Sequence, residues 1–541
     1  MEPRMTTSVS VTLDGVAWHT PDGRCLFSDL TARFDGRLTG LVGRNGVGKS
    51  VLAQMMAGLR VPSAGHCRRM GRVHYLPQQV AVIPGQRVAE LAAVDNVLAA
   101  LLRIEAGSTD PADFDAVGEQ WMLRETLQQA LFDAGLEGVS ADMPVDKLSG
   151  GQRMRVALVG ALLQPVELLI LDEPSNHLDL AGRQWLAAQL RARGQGVLLV
   201  SHDRLLLAEV ERIVELSPQG LRSHGGNYAS YAQARAATRA AAETLLLQRR
   251  HERRKGEQEL RVQRERLEQR SARGSRDAAR ANQAPILLGL QRQRAEANAG
   301  KARQQLQQRH AGLDDAVRQA HAQLDAPPPV LLMPALLSGG PEWVVRLEGV
   351  RLPWSGPAQP ALDLSLRRGQ RLAVSGANGT GKSTLLKLLA GQCEAVAGNV
   401  QVAVPAALLD QQLAVLPPQC SALQGLRESN PLQEEAVSRS RLSLLGLDAA
   451  QAVLPSARLS GGQRLKAALA CVLYADPPAQ LLLLDEPGNH LDLESLEALE
   501  GLLRQYRGTL VVVSHDPAFL QAIGIDATLQ LDRDGWRLQP A

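Results

Sequence analysis

Two glycine-rich segments of this chain each lead into a lysine followed by a hydroxyl residue, a combination that suits the binding of phosphate groups. They read GRNGVGKS at residues 43–50 and GANGTGKST at residues 376–384. Glycines let backbone N–H groups turn towards phosphate oxygens, lysine adds a point charge, and a hydroxyl oxygen is a ligand that Mg²⁺ accepts. The residues predicted to bind phosphate are Gly43, Asn45, Gly46, Gly48, Lys49 and Ser50, and then Gly376, Asn378, Gly379, Gly381, Lys382, Ser383 and Thr384.

An Asp-Glu pair and a later histidine follow short apolar runs in each half of the chain. The aspartate ends a predicted buried strand, where it can face a metal ion, and the glutamate after it can polarise an attacking water. The histidine ends the next apolar run and can reach the terminal phosphate or that water. These spacings predict metal-binding roles for Asp172 and Asp485 and catalytic roles for Glu173, Glu486, His202 and His515.

The sequence LSGGQ occurs twice, at residues 148–152 and 459–463, each time ahead of a predicted helix. The serine suits a helix N-cap, and the N–H groups of the first turn can bind an anion. Chain geometry prevents this loop from reaching the phosphate held by its own copy. The residues predicted to bind an anion at these helix starts are Ser149, Gly150, Gly151, Gln152, Ser460, Gly461, Gly462 and Gln463.

The order and spacing of these motifs indicate an internal duplication. Lys49 and Lys382 lie 333 positions apart, whereas Asp172 and Asp485 lie 313 apart. Because Leu148 and Leu459 lie 311 apart, the first copy carries about 22 extra residues between its phosphate loop and LSGGQ, within 90–130.

The elements that must position these residues are predicted to be parallel strands and helices. Apolar runs at 38–42, 168–171 and 197–200 recur at 372–375, 481–484 and 510–513, and each ends near a candidate residue. In open α/β sheets, ligands bind at the carboxyl ends of the strands. The predicted fold class is α/β: two tandem cassettes at 1–230 and 343–541, joined by a helical linker at 231–342.

The linker is predicted to be a basic helical hairpin. Residues 231–269 suit one long helix, 271–288 interrupt it, and 291–324 suit a second helix before three prolines. Between residues 235 and 330 there are 20 Lys and Arg against 11 Asp and Glu. Arg273, Arg276 and Arg280 near the predicted tip are candidate RNA contacts. The alternative is a solvated linker without a partner.

Composition excludes several other classes of protein. Five scattered cysteines form no metal-binding or disulfide pattern, which suits a reducing cytoplasm. No apolar run approaches the ~20 residues that a membrane span needs, and the amino-terminus has no secretory signal. We therefore expect a cytoplasmic protein without a membrane span.

The two LSGGQ motifs, with the phosphate loops, make the chain resemble the ATP-binding cassette (ABC) superfamily of P-loop NTPases. There, two cassettes stack head to tail, and each ATP lies between one phosphate loop and the opposite LSGGQ signature. The resemblance implies ATP and Mg²⁺ as ligands, an ATPase activity, and pairing of the two cassettes within one monomer. It also implies a first site of Lys49, Asp172, Glu173 and His202 with Ser460, Gly461 and Gly462, and a second of Lys382, Asp485, Glu486 and His515 with Ser149, Gly150 and Gly151.

Two further positions match the superfamily. Gln78 and Gln411 resemble the glutamines that help to bind the metal, although each adjoins a second glutamine that fits as well. Trp18 and Trp354 resemble the aromatic residues that stack on adenine, and each also fits a half-buried strand position.

More narrowly, the chain resembles the ABC-F branch, whose members have two cassettes in tandem, no membrane domain and a charged helical hairpin between the cassettes. The sequence DEP-x-NHLD at 172–179 and 485–492 supports this. The resemblance implies binding to the ribosome, at ribosomal RNA and P-site tRNA, with a role in translation or in ribosome protection against antibiotics. Ser175 and Gly488 depart from the usual threonine, so the two sites are expected to differ.

Two alternatives remain on the sequence alone. The cassettes would also suit the ATPase subunit of a transporter or a DNA-directed ATPase.

Overall fold

Four β-sheets, two in each cassette, form the frame of the molecule. The structure is a computed structural model and describes residues 10–176, 178–193, 196–280, 304, 308–320, 340–353, 361–489, 491–532 and 535–540. Within these residues both cassettes have the same strand order, so the duplication of motifs is also a duplication of topology.

Each cassette has a six-stranded sheet in which five strands are parallel and one edge strand is antiparallel. Across the first sheet the strands are Val73–Leu76, Leu168–Asp172, Val197–Val200, Thr39–Gly43, Arg212–Ser217 and Gly220–Gly225. Across the second they are Ala406–Leu409, Leu481–Asp485, Thr509–Val513, Arg371–Gly376, Ala527–Asp532 and Gly535–Pro540. The strands that carry the Asp-Glu pair, the histidine and the phosphate loop are neighbours, so their carboxyl ends meet at one edge. Helices on both faces bury these strands, which explains their continuous apolar runs.

A smaller antiparallel sheet of three strands completes each cassette. Its strands are Cys25–Phe34, Ser10–His19 and Ala64–Met70 in the first cassette, and Leu362–Arg367, Trp343–Arg351 and Ala397–Val402 in the second. Val11 and Phe34 of the small sheet share a core with Leu52 of the helix after the phosphate loop and with Ile170 of the large sheet. The helix behind the phosphate loop is therefore held between two sheets.

Helices connect and cover the strands. In the first cassette they are Lys49–Ala57, Val88–Leu91, Asp95–Glu105, Pro111–Val117, Leu123–Asp133, Gly150–Leu163, Leu180–Arg193 and Arg204–Leu207, with a 3₁₀ turn at Val145–Lys147. In the second they are Lys382–Leu389, Ala422–Ser429, Glu435–Leu444, Ala449–Val453, Gly461–Leu473, Leu493–Gln505 and Pro517–Ile523, with a 3₁₀ turn at Ser456–Arg458. Among the described residues, no helix is both long and apolar enough to cross a membrane.

The insertion in the first cassette is a compact pair of helices, Asp95–Glu105 and Pro111–Val117. The buried carboxylate of Asp113 holds them together, because it pairs with Arg103 at 2.6 Å and accepts a hydrogen bond from Ser108 at 2.6 Å. The extra residues therefore enlarge the helical part of this cassette.

The linker contains a helix of 53 residues, Tyr228–Arg280. A helical segment at 308–320 lies antiparallel to it, as two ion pairs show: Arg253–Asp314 at 3.6 Å and Arg309–Glu259 at 3.3 Å. The predicted break at 271 is wrong as far as residue 280, because an Ala- and Arg-rich sequence keeps the helix going past Gly274 at a cost of about 1 kcal/mol. The remainder of the predicted tip lies outside the described residues.

By its internal contacts the chain divides into two compact units, Met1–Ala229 with Pro329–Ala541, and Ser230–Pro328. Both cassettes belong to the first unit, where a buried ion pair joins them: Arg204 of the first cassette lies 2.6 Å from Glu500 of the second. The equivalent positions in the duplication are Pro517 and Ala187, so this pair occurs on one side only.

The packing of the helix Gly150–Leu163 gives a prediction about stability. A Cβ added at Gly160 would lie 2.2 Å from the carbonyl oxygen of Ala92, a backbone atom that cannot move aside. We expect Gly160→Ala to lower the free energy of unfolding by about 1–3 kcal/mol, as overpacking does. Urea unfolding followed by circular dichroism measures this change.

Gly501 is the matched control, since it also lies in a helix and a Cβ added there would meet no described atom within 4 Å. Gly501→Ala should stabilise the protein by up to about 1 kcal/mol. Equal unfolding midpoints for the two variants would contradict the packing described at Gly160.

Candidate functional site

Each phosphate loop joins a central strand of a large sheet to a helix that begins at the loop lysine. Three glycines in each loop have a positive φ: Gly43, Gly46 and Gly48 in the first, and Gly376, Gly379 and Gly381 in the second. A Cβ on Gly43 would lie 2.3 Å from the carbonyl oxygen of Leu216. The chain can follow this path only without a side chain there, which explains the glycine at this position.

The two loop lysines are buried and point back at the loops that carry them. The Nζ of Lys49 donates to the carbonyl of Gly43 at 2.7 Å, and the Nζ of Lys382 donates to that of Gly376 at 2.7 Å. Burial lowers the pKa of both ammonium groups, against the opposing effect of nearby carboxylates. A triphosphate in the loop would supply a stronger anionic partner than these carbonyl oxygens.

The strand-end aspartates lie beside the loop hydroxyls, as the sequence predicted. Ser50 hydrogen-bonds Asp172, and Ser383 hydrogen-bonds Asp485. In both aspartates Oδ1 is buried without a hydrogen-bond partner, and burial raises the pKa of both groups. A buried carboxylate oxygen beside a hydroxyl is a set of hard ligands that fits Mg²⁺.

Tyr75 is a neighbour of Asp172 that the sequence reasoning missed. Its hydroxyl donates to Oδ2 of Asp172 at 2.9 Å from the adjacent strand. The equivalent residue of the second cassette is Leu408, so only the first aspartate has this donor. The sequence feature that could have indicated this contact is the position of the tyrosine, three residues before Gln78.

The glutamate and the histidine of each cassette face one another. His202 Nε2 lies 3.6 Å from Glu173 Oε1, and His515 Nε2 lies 3.2 Å from Glu486 Oε1. Both glutamates have a positive φ, 49° and 51°, a conformation that is strained for a residue with a side chain. The same strain at both positions indicates a backbone held for function, since it aims each carboxylate into a cavity.

Burial sets the protonation of these groups. It raises the pKa of Glu173 to about 8 and also raises that of Glu486. It lowers the pKa of His202 to about 3 and that of His515 to about 4. Both imidazoles are therefore neutral near pH 7.

The signature serines cap the helices that follow them. The hydroxyl of Ser149 accepts from the N–H of Gln152 at 3.3 Å, and the Gln152 side chain accepts from the N–H of Ser149 at 2.9 Å. Ser460 and Gln463 form the same capping box. Each signature thus presents a helix N-terminus, where an anion is stabilised.

In the part of the chain that the structure describes, two cavities are lined by residues of both cassettes. The first, of about 460 Å³, is lined by Asn45, Gly46, Gly48, Lys49, Ser50, Gln78, Asp172, Glu173 and His202 of the first cassette, and by Glu486, Gly488, Asn489, Leu496, His515 and other residues of the second. The second, of about 1010 Å³, is lined by Asn378, Gly379, Gly381, Lys382, Ser383, Thr384, Gln411, Asp485 and Glu486 of the second cassette, and by Ser149, Gly150, Gly151 and Gln152 of the first.

The second cavity therefore brings together the phosphate loop and the opposite signature that the sequence paired. Around the first cavity, no described lining residue comes from 460–463, and Gly461 lines the second cavity instead. The first pairing stays a prediction. Of the two pairs of adjacent glutamines, Gln78 and Gln411 are the members that line the cavities.

In each cassette, the aspartate of the NHLD sequence contacts the phosphate loop of the other cassette. Asp492 accepts a hydrogen bond from the backbone N–H of Asn45 at 2.8 Å, and Asp179 accepts one from the backbone of Asn378. Next to the first contact, Arg44 pairs with Glu494 at 2.9 Å. The contacts are reciprocal, so each loop is held by the other cassette.

The remaining predicted residues lie away from these contacts. Trp18 is half-buried, with the guanidinium of Arg60 5.0 Å from its ring centroid, and it is not among the residues described as lining the first cavity. Trp354 lies outside the described residues. Arg273 is exposed on the long helix, which also carries Arg276 and Arg280.

Comparison with known proteins agrees with this duplicated site. The family model described as "ABC transporter" matches residues 31–176 and 360–489. The tylosin resistance ATP-binding protein TlrC of Streptomyces fradiae is 33% identical over 95% of this chain and 96% of its own length. The energy-dependent translational throttle protein EttA of Mycobacterium tuberculosis is 31% identical over 92% of this chain and 87% of its own length.

Solved structures agree in fold. A crystal structure of the archaeal ribosome recycling factor aABCE1 with a ribosomal stalk protein matches with a TM-score of 0.59 and 19% identity, over 97% of this chain and 89% of that one. The paired phosphate loops and signatures, the duplicated topology and these full-length matches lead to one conclusion. The chain belongs to the ATP-binding cassette family, as an ATPase of its ABC-F branch with two cassettes in tandem.

Proposed function

We propose that this ATPase binds the ribosome in the cytoplasm and acts on translation, with ATP binding closing its cassettes and hydrolysis releasing them. The observation that carries the proposal is the similarity to EttA over 92% of the chain, since that relative is named a translational throttle. The family description names transporters, but the full-length relatives are named for translation and for antibiotic resistance.

The charge of the linker supports a nucleic-acid partner. Its 20 Lys and Arg exceed its 11 Asp and Glu between residues 235 and 330, and Arg273 is exposed on a helix that continues to Arg280. Positive side chains on a long helix suit phosphates of folded RNA, which proteins recognise largely by shape. We assign Arg273, Arg276 and Arg280 to contacts with ribosomal RNA and P-site tRNA.

The chemistry at each site follows from its own residues. Lys49 and Lys382 would turn from the loop carbonyls to the phosphates of ATP. Ser50 and Asp172, with Gln78, would hold Mg²⁺ at the first site, and Ser383 and Asp485, with Gln411, at the second. When bound, this ion neutralises charge on the phosphates.

Glu173 and Glu486 are proposed to orient and deprotonate the attacking water, and neutral His202 and His515 to hydrogen-bond near the terminal phosphate. A serine or glycine follows each Asp-Glu-Pro. Ser175 is buried with a hydroxyl, whereas Gly488 has none, so we propose unequal rates at the two sites. One chain carries both phosphate loops and both signatures, so the working form is proposed to be a monomer.

Blocking hydrolysis should trap the protein on ribosomes. The double variant Glu173→Gln, Glu486→Gln keeps both phosphate loops but loses both proposed bases. With ATP present we expect it to co-sediment with ribosomes in sucrose gradients, and without ATP to remain near the top.

The linker arginines provide the control for that experiment. Changing Arg273, Arg276 and Arg280 to Ala in the double variant should weaken co-sedimentation, most clearly as salt rises. A matched set of three on the same helix, Arg239, Arg249 and Arg253, each has a glutamate partner and should tolerate Ala. A double variant that sediments free of ribosomes with ATP present would disprove the proposal.

Ribosome protection against a macrolide is a second candidate, favoured by the 33% identity to the tylosin resistance protein. Expression of the chain in a tylosin-sensitive bacterium should then raise the minimum inhibitory concentration, and Lys49→Ala with Lys382→Ala should abolish the effect. An unchanged concentration, with ribosome binding retained, would remove this candidate and leave the first.

The protonation of Glu173 predicts a pH dependence of stability. Its pKa is about 8 in the folded protein against an ordinary 4.5, so between these values the folded state holds a proton that the unfolded chain releases. The contribution of Glu173 to the free energy of unfolding is therefore fully present below pH 4.5 and is lost as pH rises towards 8. We expect the melting temperature of nucleotide-free Glu173→Gln, relative to wild type, to increase from pH 5.5 to pH 8.

Glu167→Gln is the control, because a backbone hydrogen bond from Arg72 lowers the pKa of Glu167 and leaves it ionised throughout this range. The difference in melting temperature between Glu167→Gln and wild type should stay constant from pH 5.5 to pH 8. If the Glu173→Gln difference is equally constant, the pKa assigned to Glu173 is wrong.

A further inference from the structure

The wall between the two cavities contains one arginine, Arg183, in the helix Leu180–Arg193 of the first cassette. Five described residues line both cavities: Asn176, Arg183, Glu486, Asn489 and Leu491. Of these, Arg183 alone carries a positive charge and Glu486 alone a negative one. A long cationic side chain of one cassette thus shares a wall with the proposed catalytic glutamate of the other.

Arg183 is held in place by its own cassette. Its Nε donates to the carbonyl of Leu178 at 3.2 Å, and its NH1 lies 3.4 Å from Oδ2 of Asp203. The side chain is 12% exposed and that of Asp203 is 7% exposed. The guanidinium is therefore placed by partners that leave further N–H groups to face the cavities, since it has five donors.

The charge of Arg183 acts across the interface. After burial, which raises the pKa of Glu486, Arg183 is the charge that lowers it most, ahead of Lys382. Arg183 also lowers the pKa of His515, after the effects of burial and Lys382. Arg183, Glu486 and His515 also line the same cavity, so the guanidinium shares that cavity with both proposed catalytic residues of the second cassette.

The first site has no such cation from the opposite cassette among its described residues. The duplication pairs Asp179 with Asp492 and therefore Arg183 with Leu496, which is buried and lines the first cavity. The charges that act on Glu173 are those of Lys49, Asp172 and Asp203, all from its own cassette. The two cassettes therefore differ at this position, with an arginine in the first and a leucine in the second.

Arg183 is tied to the signature that faces the second phosphate loop. Arg155, on the signature helix, pairs with Asp179 at 2.7 Å, and the same oxygen of Asp179 accepts from the N–H of Gly182 at 3.0 Å. Asp179 therefore joins the signature helix to the start of the helix that carries Arg183.

We propose that Arg183 is a positioning residue of the second ATP site, supplied in trans by the first cassette, and that it aligns Glu486 and His515 when the cassettes close. This inference rests on the ATP sites proposed above. It makes hydrolysis at the second site depend on a cation from the opposite cassette, which the described lining of the first cavity does not receive from the second cassette.

Single-turnover hydrolysis in two backgrounds tests the role. In Glu173→Gln only the second site retains its glutamate, and in Glu486→Gln only the first does. Arg183→Leu, which copies Leu496, should slow ADP formation roughly 10- to 100-fold in the Glu173→Gln background, as loss of a residue that orients a catalytic group does. In the Glu486→Gln background the rate should change less than about twofold, and in both the ATP concentration for half-maximal rate should stay within about threefold.

Arg191→Leu is the matched control, since Arg191 lies on the same helix with its guanidinium exposed and paired with Glu209. It should leave both rates unchanged, and Arg183→Lys should recover part of the lost rate. Equal slowing in the two backgrounds, as a structural defect would give, or no slowing in Glu173→Gln, would overturn the role of Arg183 alone. Undiminished hydrolysis by Glu173→Gln, Glu486→Gln would overturn the assigned glutamates and this inference with them.

Discussion

The backbone N–H groups of a phosphate loop need a negative partner, and in this molecule the opposite cassette provides one. Asp492 accepts from the N–H of Asn45 at 2.8 Å, and Asp179 accepts from the backbone of Asn378. An anion at such a nest is stabilised by the same N–H groups that would bind phosphate. Phosphate binding and contact between the cassettes therefore use neighbouring atoms of the same loop.

The two cassettes match in topology but differ in their polar and charged residues near the sites. Tyr75 donates to Asp172, whereas Leu408 stands at the equivalent place. Arg204 forms a buried ion pair with Glu500, and its counterpart is Pro517. A duplicated protein can specialise its two sites in this way without altering the residues that bind phosphate.

Much of the fold and of the candidate site could be predicted, because local sequence determines it. The glycines at 43, 46 and 48 are required by positive φ, and the run at 168–171 is apolar because helices bury it on both faces. Ser149 caps its helix as its type and position indicated. Each of these features depends on residues close together in sequence.

Features that depend on distant residues could not be predicted in the same way. The nearness of Arg183 to Glu486 follows from how two cassettes pack, and no spacing in the chain encodes it. The helix differs from the predicted break at 271 for a different reason, since Gly274 stands alone among good helix formers. Alanine-rich sequence on both sides compensates for the cost of that glycine.

The long helix has a mechanical consequence. At 1.5 Å per residue, Tyr228–Arg280 spans about 80 Å, and it starts three residues after the end of the strand Gly220–Gly225 of the first cassette. A tilt of about 5° at its base would displace its far end by about 7 Å. A helix of this length therefore turns a small rotation at one end into a displacement of several ångströms at the other.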